Sequence, residues 1–513
     1  MYNLIANFKK ETFTLYHDLK IEKENITAQE IPFIKHNTHI RHLQAFKDLF
    51  NYWFLKNGFR PLMLEEDEKQ KMTYKIISSE TETYYFAYCI DNENTIFYLK
   101  NIDAEFQKLP NETPYKDILA MQQEAEKLGF EGITTGGAVR HFWKKNYNGW
   151  FLTKYKYNTE NINEHDYNII YKSLKGGLNI LNENYKNKML YNTYTIDINS
   201  LYPYIALNQC LPYDAPVYID YLDKEQMKTA EKIHFKYKRC IYKIDIENCE
   251  IKENKHCWYA VRDYKKNKTI YPKRIREIAY IWDFEFERLK KDYNLTKYTI
   301  LGALCFKVRK GSFDDLLNYL KNLKENSEKG TTTNKLAKQY LNSFLGKFAT
   351  KKMRYYDTYK LDENENVVTS TREAQIDNTY YLPLFSFITA HGRVFMASYI
   401  NDIIEYGNFI YCDTDSITCY NCAGLKSIEI DKNKFGFFKI ESVNVKAVFK
   451  KNKWYCKETT DGEIKGVCAG INNEYFSLTC DEFYKGKAIY IKKIICGDKS
   501  ADFPQEKYFK IYI

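Results

Sequence analysis

The stretch YNTYTIDINSLYPYIAL, residues 191–207, changes character half-way along. Tyr194, Ile196 and Ile198 alternate as in a strand. Asn199 and Ser200 form a turn, and Pro203 suits the first turn of a helix that follows. The strand therefore ends on Asp197, next to the free backbone N–H groups of a helix start, an arrangement that suits a metal ion and phosphate oxygens. A second stretch, YCDTDSI at 411–417, places Asp413 and Asp415 two positions apart, before the alternating run ITCY. On extended chain i and i+2 point the same way, so the two carboxylates converge on one spot. Taken alone, DTD reads more readily as a turn in which Asp accepts local backbone hydrogen bonds. With Asp197 added, three carboxylates from two strand ends form a hard-oxygen set suited to two Mg²⁺ ions about 3.5–4 Å apart.

A third element is the helical run KLAKQYLNSFLGKF, in which Lys338, Asn342 and Leu345 fall at i, i+4 and i+7 on one face. A lysine there can reach a triphosphate as a point charge, and the neighbouring face can lie against a base pair. By itself, a lysine at such spacing is as readily a solvated helix face.

Composition sets broad bounds. With 513 residues the chain is long enough for several domains and a large core, and its 44% hydrophobic share is ordinary for a globular protein. The net charge of +10 is spread along the chain and fits a polyanionic partner, though it equally fits a basic enzyme. The 13 cysteines are odd in number and irregularly spaced; the start MYNLIANFKKETFTL lacks the pattern of a secretory signal; no apolar run is long enough to span a bilayer. The expected setting is a reducing cytoplasm with free thiols and no membrane. The single C-x-x-C, Cys419 to Cys422, lacks the second pair that a zinc site needs.

The pattern along the chain is mixed α+β. ETYYFAYCIDNENTIFYLKN reads as two strands around a polar turn, residues 214 to about 300 as short strands with one helical stretch (REIAYIWDFEFERLKKDYN), 312–349 as helices broken at SEKGTTTN, 351–380 as a polar loop, and LFSFITAHGRVFMASYINDIIEYG as a helix leading into YCDTDSI.

In this order DINSLYP, KQYLNSFLGKF and YCDTDS resemble motifs A, B and C of family-B DNA polymerases, and most closely those of the protein-primed subgroup of small tailed phages and linear plasmids. FITAHGR (387–393), NKWY (452–455) with VCAGI after it, and LKGGLNILN (174–182) are similar to further motifs of that subgroup, so the resemblance runs collinearly over about 170–513. It implies a multidomain right-hand fold of palm, fingers and thumb behind a reduced, exonuclease-like N-terminal domain. The implied boundaries are 1–165 for that domain, 166–213 and 382–470 for the palm, 306–350 for the fingers and 471–513 for the thumb. Between them, 214–305 matches an insertion that contacts the priming protein and DNA, and 351–381 a strand-displacement hairpin.

The resemblance also implies residue roles. Asp197, Asp413 and Asp415 are the catalytic carboxylates, with metal held by Asp197, Asp415 and the main-chain oxygen of Ile198. Ser200, Leu201, Tyr202, Lys324, Lys338, Asn342 and Leu345 face the nucleotide; Tyr202 is the steric gate against a 2′-OH, and Lys338 and Lys324 bind the triphosphate. Gly176, Gly177, Ser343, Gly346, Lys347, Arg393, Lys453 and Tyr455 contact DNA. Leu345 stands where motif B usually has Tyr, which bears on base and sugar discrimination, and Leu174 where the template motif usually begins with Tyr.

The expected activity is template-directed DNA synthesis with two Mg²⁺, Mn²⁺ able to substitute. Partners are primer-template DNA, dNTPs and a priming (terminal) protein, in a host cytoplasm where the gene is phage-borne. Two other classes compete: a catalytically inactive DNA-binding replication factor, which has no use for three anions facing phosphates, and a nuclease, whose carboxylates follow another order. Proofreading is not expected. In KIISSETETYYFAYCI Ser78 stands where the exonuclease Asp belongs, leaving Glu80 alone, while Asp245 with Glu247 and Asp283 with Glu285 read as a solvated strand and a solvated helix face.

Overall fold

The computed structural model describes residues 162–263, 268–349, 381–422, 427–469 and 478–487, most of 124–147, and further strands nearer the two ends and at 353–375 as backbone. The chain divides into two compact units, each taken by itself. The first comprises Met1–Leu128, Met353–Gln375 and Gly466–Ile513. It contains a five-stranded sheet in the order Lys20–Thr27, Thr12–His17, Tyr2–Asn7, Thr83–Ile90, Asn94–Ile96. The two strands expected in ETYYFAYCIDNENTIFYLKN are the last pair, antiparallel with Ile90 opposite Asn94. Residues 351–380, a polar loop by pattern but a hairpin by resemblance, form a hairpin of Met353–Leu361 against Val367–Gln375. Ser78 and Glu80 lie outside the described residues.

The second unit, Gly129–Lys352 with Ile376–Lys465, carries the three motifs. In chain order it contains α1 (Thr135–Asn146), α2 (Glu164–Ser173), β1 (Asn179–Leu181), β2 (Met189–Ile198), α3 (Leu201–Asn208), β3 (Leu211–Asp220), α4 (Lys224–Lys236), β4 (Arg239–Ile251), β5 (Arg274–Trp282), α5 (Asp283–Asp292), β6 (Tyr293–Arg309), α6 (Asp314–Glu325), α7 (Thr332–Gly346), α8 (Leu382–Ser398), β7 (Phe409–Asp413), β8 (Ser416–Cys419), β9 (Phe438–Lys451) and β10 (Trp454–Thr459). One antiparallel sheet runs β10-β9-β2-β8-β7-β1, and a second runs β5-β4-β6-β3. The β2–α3 turn and the β7–β8 hairpin thereby lie side by side.

Local sequence explains most elements. Helices α6 and α7 are held by rings that leave water together: Trp143 of α1 lies 5.4 Å from Phe344 and 5.2 Å from Phe313, and Phe344 meets Phe348 edge-on. Such aromatic contacts add to area burial worth about 1.5–3 kcal/mol per ring. Residues 135–146, expected with the N-terminal region, thus pack on the motif B helix.

REIAYIWDFEFERLKKDYN is only half helix. Its first part is β5, with Ile275, Ala279 and Ile281 buried at two-residue spacing against β4 across a bulge after Ile275. Sheet pairing overrides the helix-like pattern there. Helix α4 escaped the sequence reading because among its residues only Ala230 is buried, so no apolar stripe marks it. Its start is set by Asp223, whose carboxylate accepts from the Glu225 and Gln226 amides at 2.8 and 3.3 Å.

Two expectations about charge and thiols are corrected. Cys419 and Cys422 form a disulfide: Asn421, at φ 55°, turns the chain back after β8 and brings their Cα atoms to 5.8 Å. Asp283 and Glu285 are not a solvated helix face. Arg239 binds Asp283 at 2.8 Å, and Glu285, only 1% exposed, is paired with Arg393 at 2.6 Å. Asp245 and Glu247 remain half-exposed on β4. Among the described residues no helix is long and apolar enough to cross a membrane.

Candidate active site

Asp197 sits in β2, opposite Ser416 of β8 on one side and Lys439 of β9 on the other. The β7–β8 turn is closed by Thr414 in the left-handed region (φ 61°) and by the Asp415 amide donating to the Asp413 carbonyl at 2.7 Å. The Ile198 amide then donates to the Asp415 carbonyl at 2.8 Å, which locks the motif A strand end to the motif C turn. Burial raises the Asp415 carboxyl to about 7, with the Asp197 charge as the next cause. Asp197 is also raised by burial, which outweighs the lowering effect of Lys439, whose Nζ is 2.5 Å from Oδ2. The Asp197 charge thus disfavours ionisation of Asp415, and a positive charge between the two carboxylates would relieve it.

Asp413 turns elsewhere. It accepts from Asn179 Nδ2 at 3.2 Å and Tyr411 Oη at 3.4 Å, and it lies 3.5 Å from Lys453 Nζ. Among the described residues no three His, Cys, Asp or Glu groups form a metal cage on their own. The donor set that fits a hard cation is therefore Asp197 and Asp415 with main-chain oxygen and ligand oxygens completing it.

Helix α3 begins directly after the pair, with Ser200 in the left-handed region as its N-cap. The turn is braced from the other strand: the Asn199 amide donates to the Phe437 carbonyl and the Asn199 carbonyl accepts from the Gly436 amide. Lys324, at the end of α6, reaches this turn, donating to Asn199 Oδ1 at 3.2 Å and Ser200 Oγ at 3.4 Å. Burial, then the Lys439 and Lys338 charges, lower its affinity for a proton. Lys338 is exposed and its charge is felt at Asp197. Asn342 and Gly346 are exposed on the same helix, with Ser343 and Lys347 half-buried. Leu201 and Leu345 are buried, at 2% each. Their side chains belong to the packing, and only the main chain of Leu201 can meet a ligand.

Tyr202 lies between two glycines. A Cβ on Gly177 would stand 2.9 Å from its hydroxyl and 2.9 Å from Thr414 Oγ1, and one on Gly392 would stand 3.0 Å from its ring. Both glycines are needed for close approach. The ring is buried enough to raise its hydroxyl to about 12. Leu178, next to Gly177, accepts from the Thr414 amide at 2.6 Å, so the Gly176–Gly177 segment is tied to the motif C turn.

Arg393 does not face outwards. At 1% exposure it binds Glu285, and its Nη1 donates to the Gly176 carbonyl at 2.5 Å. It supports the Gly-Gly segment from beneath. Lys453 lies at the tip of the β9–β10 hairpin at φ 58°, its amide donating to Tyr411 Oη at 3.0 Å, and Tyr455 packs on Tyr411 and Phe449.

Sequence reasoning missed Glu285, Lys439 and Asn179. Glu285 was marked by its apolar neighbours Phe284 and Phe286. Asn179 lies within LKGGLNILN but was given no role there, and Lys439 carries no motif signal; strand register places Asn179 opposite Asp413 and Lys439 opposite Asp197.

Residues 31–433 match the model of DNA polymerase type B, organellar and viral. The chain belongs to this family. Similar curated proteins are the DNA polymerases of Bacillus phages PZA and phi29, each 28% identical over 318 residues, 60% of this chain and 53% of the relative. That of Streptococcus phage Cp-1 is 29% identical over 339 residues, 61% and 56%. The chain thus spans about half the length of the curated relatives it matches. In fold it resembles phi29 DNA polymerase complexed with primer-template DNA, with a TM-score of 0.71 at 20% identity over 100% of this chain and 99% of that one. The ternary complex with incoming nucleotide gives 0.69 at 21% identity over 92% and 89%. The architecture is therefore that of a multidomain right-hand polymerase.

Proposed function

We infer that the protein is a DNA-directed DNA polymerase that extends a primer, at initiation a protein hydroxyl, along a DNA template. The observation that carries this reading is the meeting of Asp197, at the end of β2, with Asp415, in the adjoining β7–β8 turn, beside Lys324 at the motif A turn. An inactive DNA-binding descendant would gain nothing from two neighbouring carboxylates that burial disfavours in their charged form. The 214–305 and 351–381 segments fit priming-protein contact and strand displacement, with palm, fingers and thumb as bounded above.

Divalent cations, Mg²⁺ or Mn²⁺, held by Asp197, Asp415 and the Ile198 carbonyl, would supply charge neutralisation at the attacked α-phosphorus. The chain's own groups do the rest. Lys338 and Lys324 bind the triphosphate that leaves as pyrophosphate, and the α3 N-terminus offers amides to its oxygens. Asn342, Ser343, Gly346 and Lys347 present the helix face to the new base pair and template, and Gly176–Gly177 holds the template backbone. Lys453 and Tyr455 steady the primer end beside Asp413. The test is primer extension on a primed template, with the inactive-factor reading predicting DNA binding without extension.

Tyr202 closes the space of a ribose 2′-OH, in a position that the missing side chains of Gly177 and Gly392 leave open. Tyr202→Val should raise the incorporation of ribonucleotides relative to deoxyribonucleotides at least about tenfold, a transition-state difference of about 1.4 kcal/mol. Competitive incorporation of rNTP and dNTP measures it, and an unchanged ratio assigns the gate elsewhere.

The expected lack of proofreading also stands as a proposal. A 3′-mismatched primer with Mg²⁺ and no dNTP should keep its length. Shortening that disappears in Glu80→Ala would reverse this reading, whereas shortening that disappears only in Asp197→Ala would be traced to the polymerase site.

A further inference from the structure

Lys439 lies outside every motif, yet its ammonium group is paired with Asp197. Its strand register makes this unavoidable. Lys439 of β9 stands directly opposite Asp197 of β2, and directly opposed residues on antiparallel strands have Cβ atoms about 4.5–5.5 Å apart. Its Nζ lies on Asp197 Oδ2 at 2.5 Å, with the side chain 37% exposed. It therefore occupies an oxygen that a divalent cation must take.

The surroundings hold further cations. Two other lysines already flank the same carboxylate from the α3 side: Lys324 bound to Asn199 and Ser200, and Lys338, whose charge reaches Asp197. The Lys439 and Lys338 charges both act on Lys324, so the three ammonium groups are near one another, and among the described residues the ion pair of Lys439 is with Asp197. Asp415 and Glu441 share this cluster and balance the lysines; once divalent cations engage Asp197 and Asp415, the ammonium groups are left with charge that a triphosphate would neutralise.

We propose that Lys439 is a phosphate-binding residue of the nucleotide site that rests on Asp197 until a divalent cation takes over that carboxylate. The proposal depends on reading this site as a nucleotidyl-transfer centre. Lysine suits the double task, as a point charge on a flexible stem can exchange one oxygen partner for another without moving the strand.

The test uses the full chain and equilibrium binding. Mn²⁺ affinity is measured by electron paramagnetic resonance without nucleotide, and dTTP affinity on a dideoxy-terminated primer-template in Ca²⁺. Lys439→Met should bind Mn²⁺ several-fold more tightly, because its competitor is gone, and should bind dTTP about tenfold more weakly. Lys439→Arg, which keeps the charge, should retain dTTP affinity, and an unchanged thermal unfolding profile verifies that both variants are folded. If Lys439→Met leaves dTTP affinity unchanged, or leaves Mn²⁺ affinity unchanged, the proposal is overturned. Asp197→Ala separates the two readings: if it fails to weaken Mn²⁺ binding, the metal site itself is misassigned.

Discussion

Asp415→Ala is expected to reduce single-nucleotide incorporation by about 10³-fold or more while leaving DNA affinity within a few-fold of wild type. Removing one preorganised electrostatic group from such a centre costs about 10²–10³ in rate, and this carboxylate is expected to hold the cations rather than merely face them. Asp415 has no compensating neighbour: Asp413 is committed to Asn179, Tyr411 and Lys453. DNA affinity comes mainly from lysines and arginines on phosphates, and loss of an anion does not weaken it. The Asp415 main chain, which accepts from Ile198, survives the substitution, so the turn should keep its shape. Single-turnover extension with Mg²⁺, alongside anisotropy with the same primer-template, makes the comparison. Incorporation within tenfold of wild type would remove Asp415 from the metal site.

The second large effect is expected on stability. Arg393→Met should destabilise the motif-bearing unit by about 3–5 kcal/mol, because Glu285 is left as an uncompensated buried charge. The Gly176 carbonyl loses its donor in the same step, at about 1–3 kcal/mol. Arg393→Met combined with Glu285→Leu should be less destabilised than Arg393→Met alone, since replacing both ions removes the charge that makes the single change costly. Unfolding of the four-member cycle in urea measures the coupling. Additivity within about 0.5 kcal/mol would mean the two side chains do not act as a pair.

Glu285 marks the limit of what the chain shows by itself. On sequence, Asp283–Asp292 is a charged helix, and a carboxylate there reads as solvated. Only the packing of α5 against α8 delivers Arg393 to it and places both beneath Gly176. Lys439 shows the same limit in a sheet. Its neighbours in sequence say nothing of Asp197, and a register shift of one residue would turn it to the opposite face. Segment type also escaped wherever a tertiary partner decided it. Arg274–Trp282 became a strand through pairing with β4.

What the sequence determined alone was the chemistry and its order. A strand that ends on Asp197 before a turn and helix, an Asp-Thr-Asp hairpin and a lysine-bearing helix are local patterns, because alternation, capping and turn preference act over a few residues. They sufficed to name the family and the residues that converge. The tertiary structure decided how those residues divide the work. It turned Asp413 towards Lys453, buried Leu345 and Arg393, and set Lys439 on Asp197. Each of these outcomes depends on which strand or helix lies opposite, a relation between distant parts of the chain that no local pattern encodes.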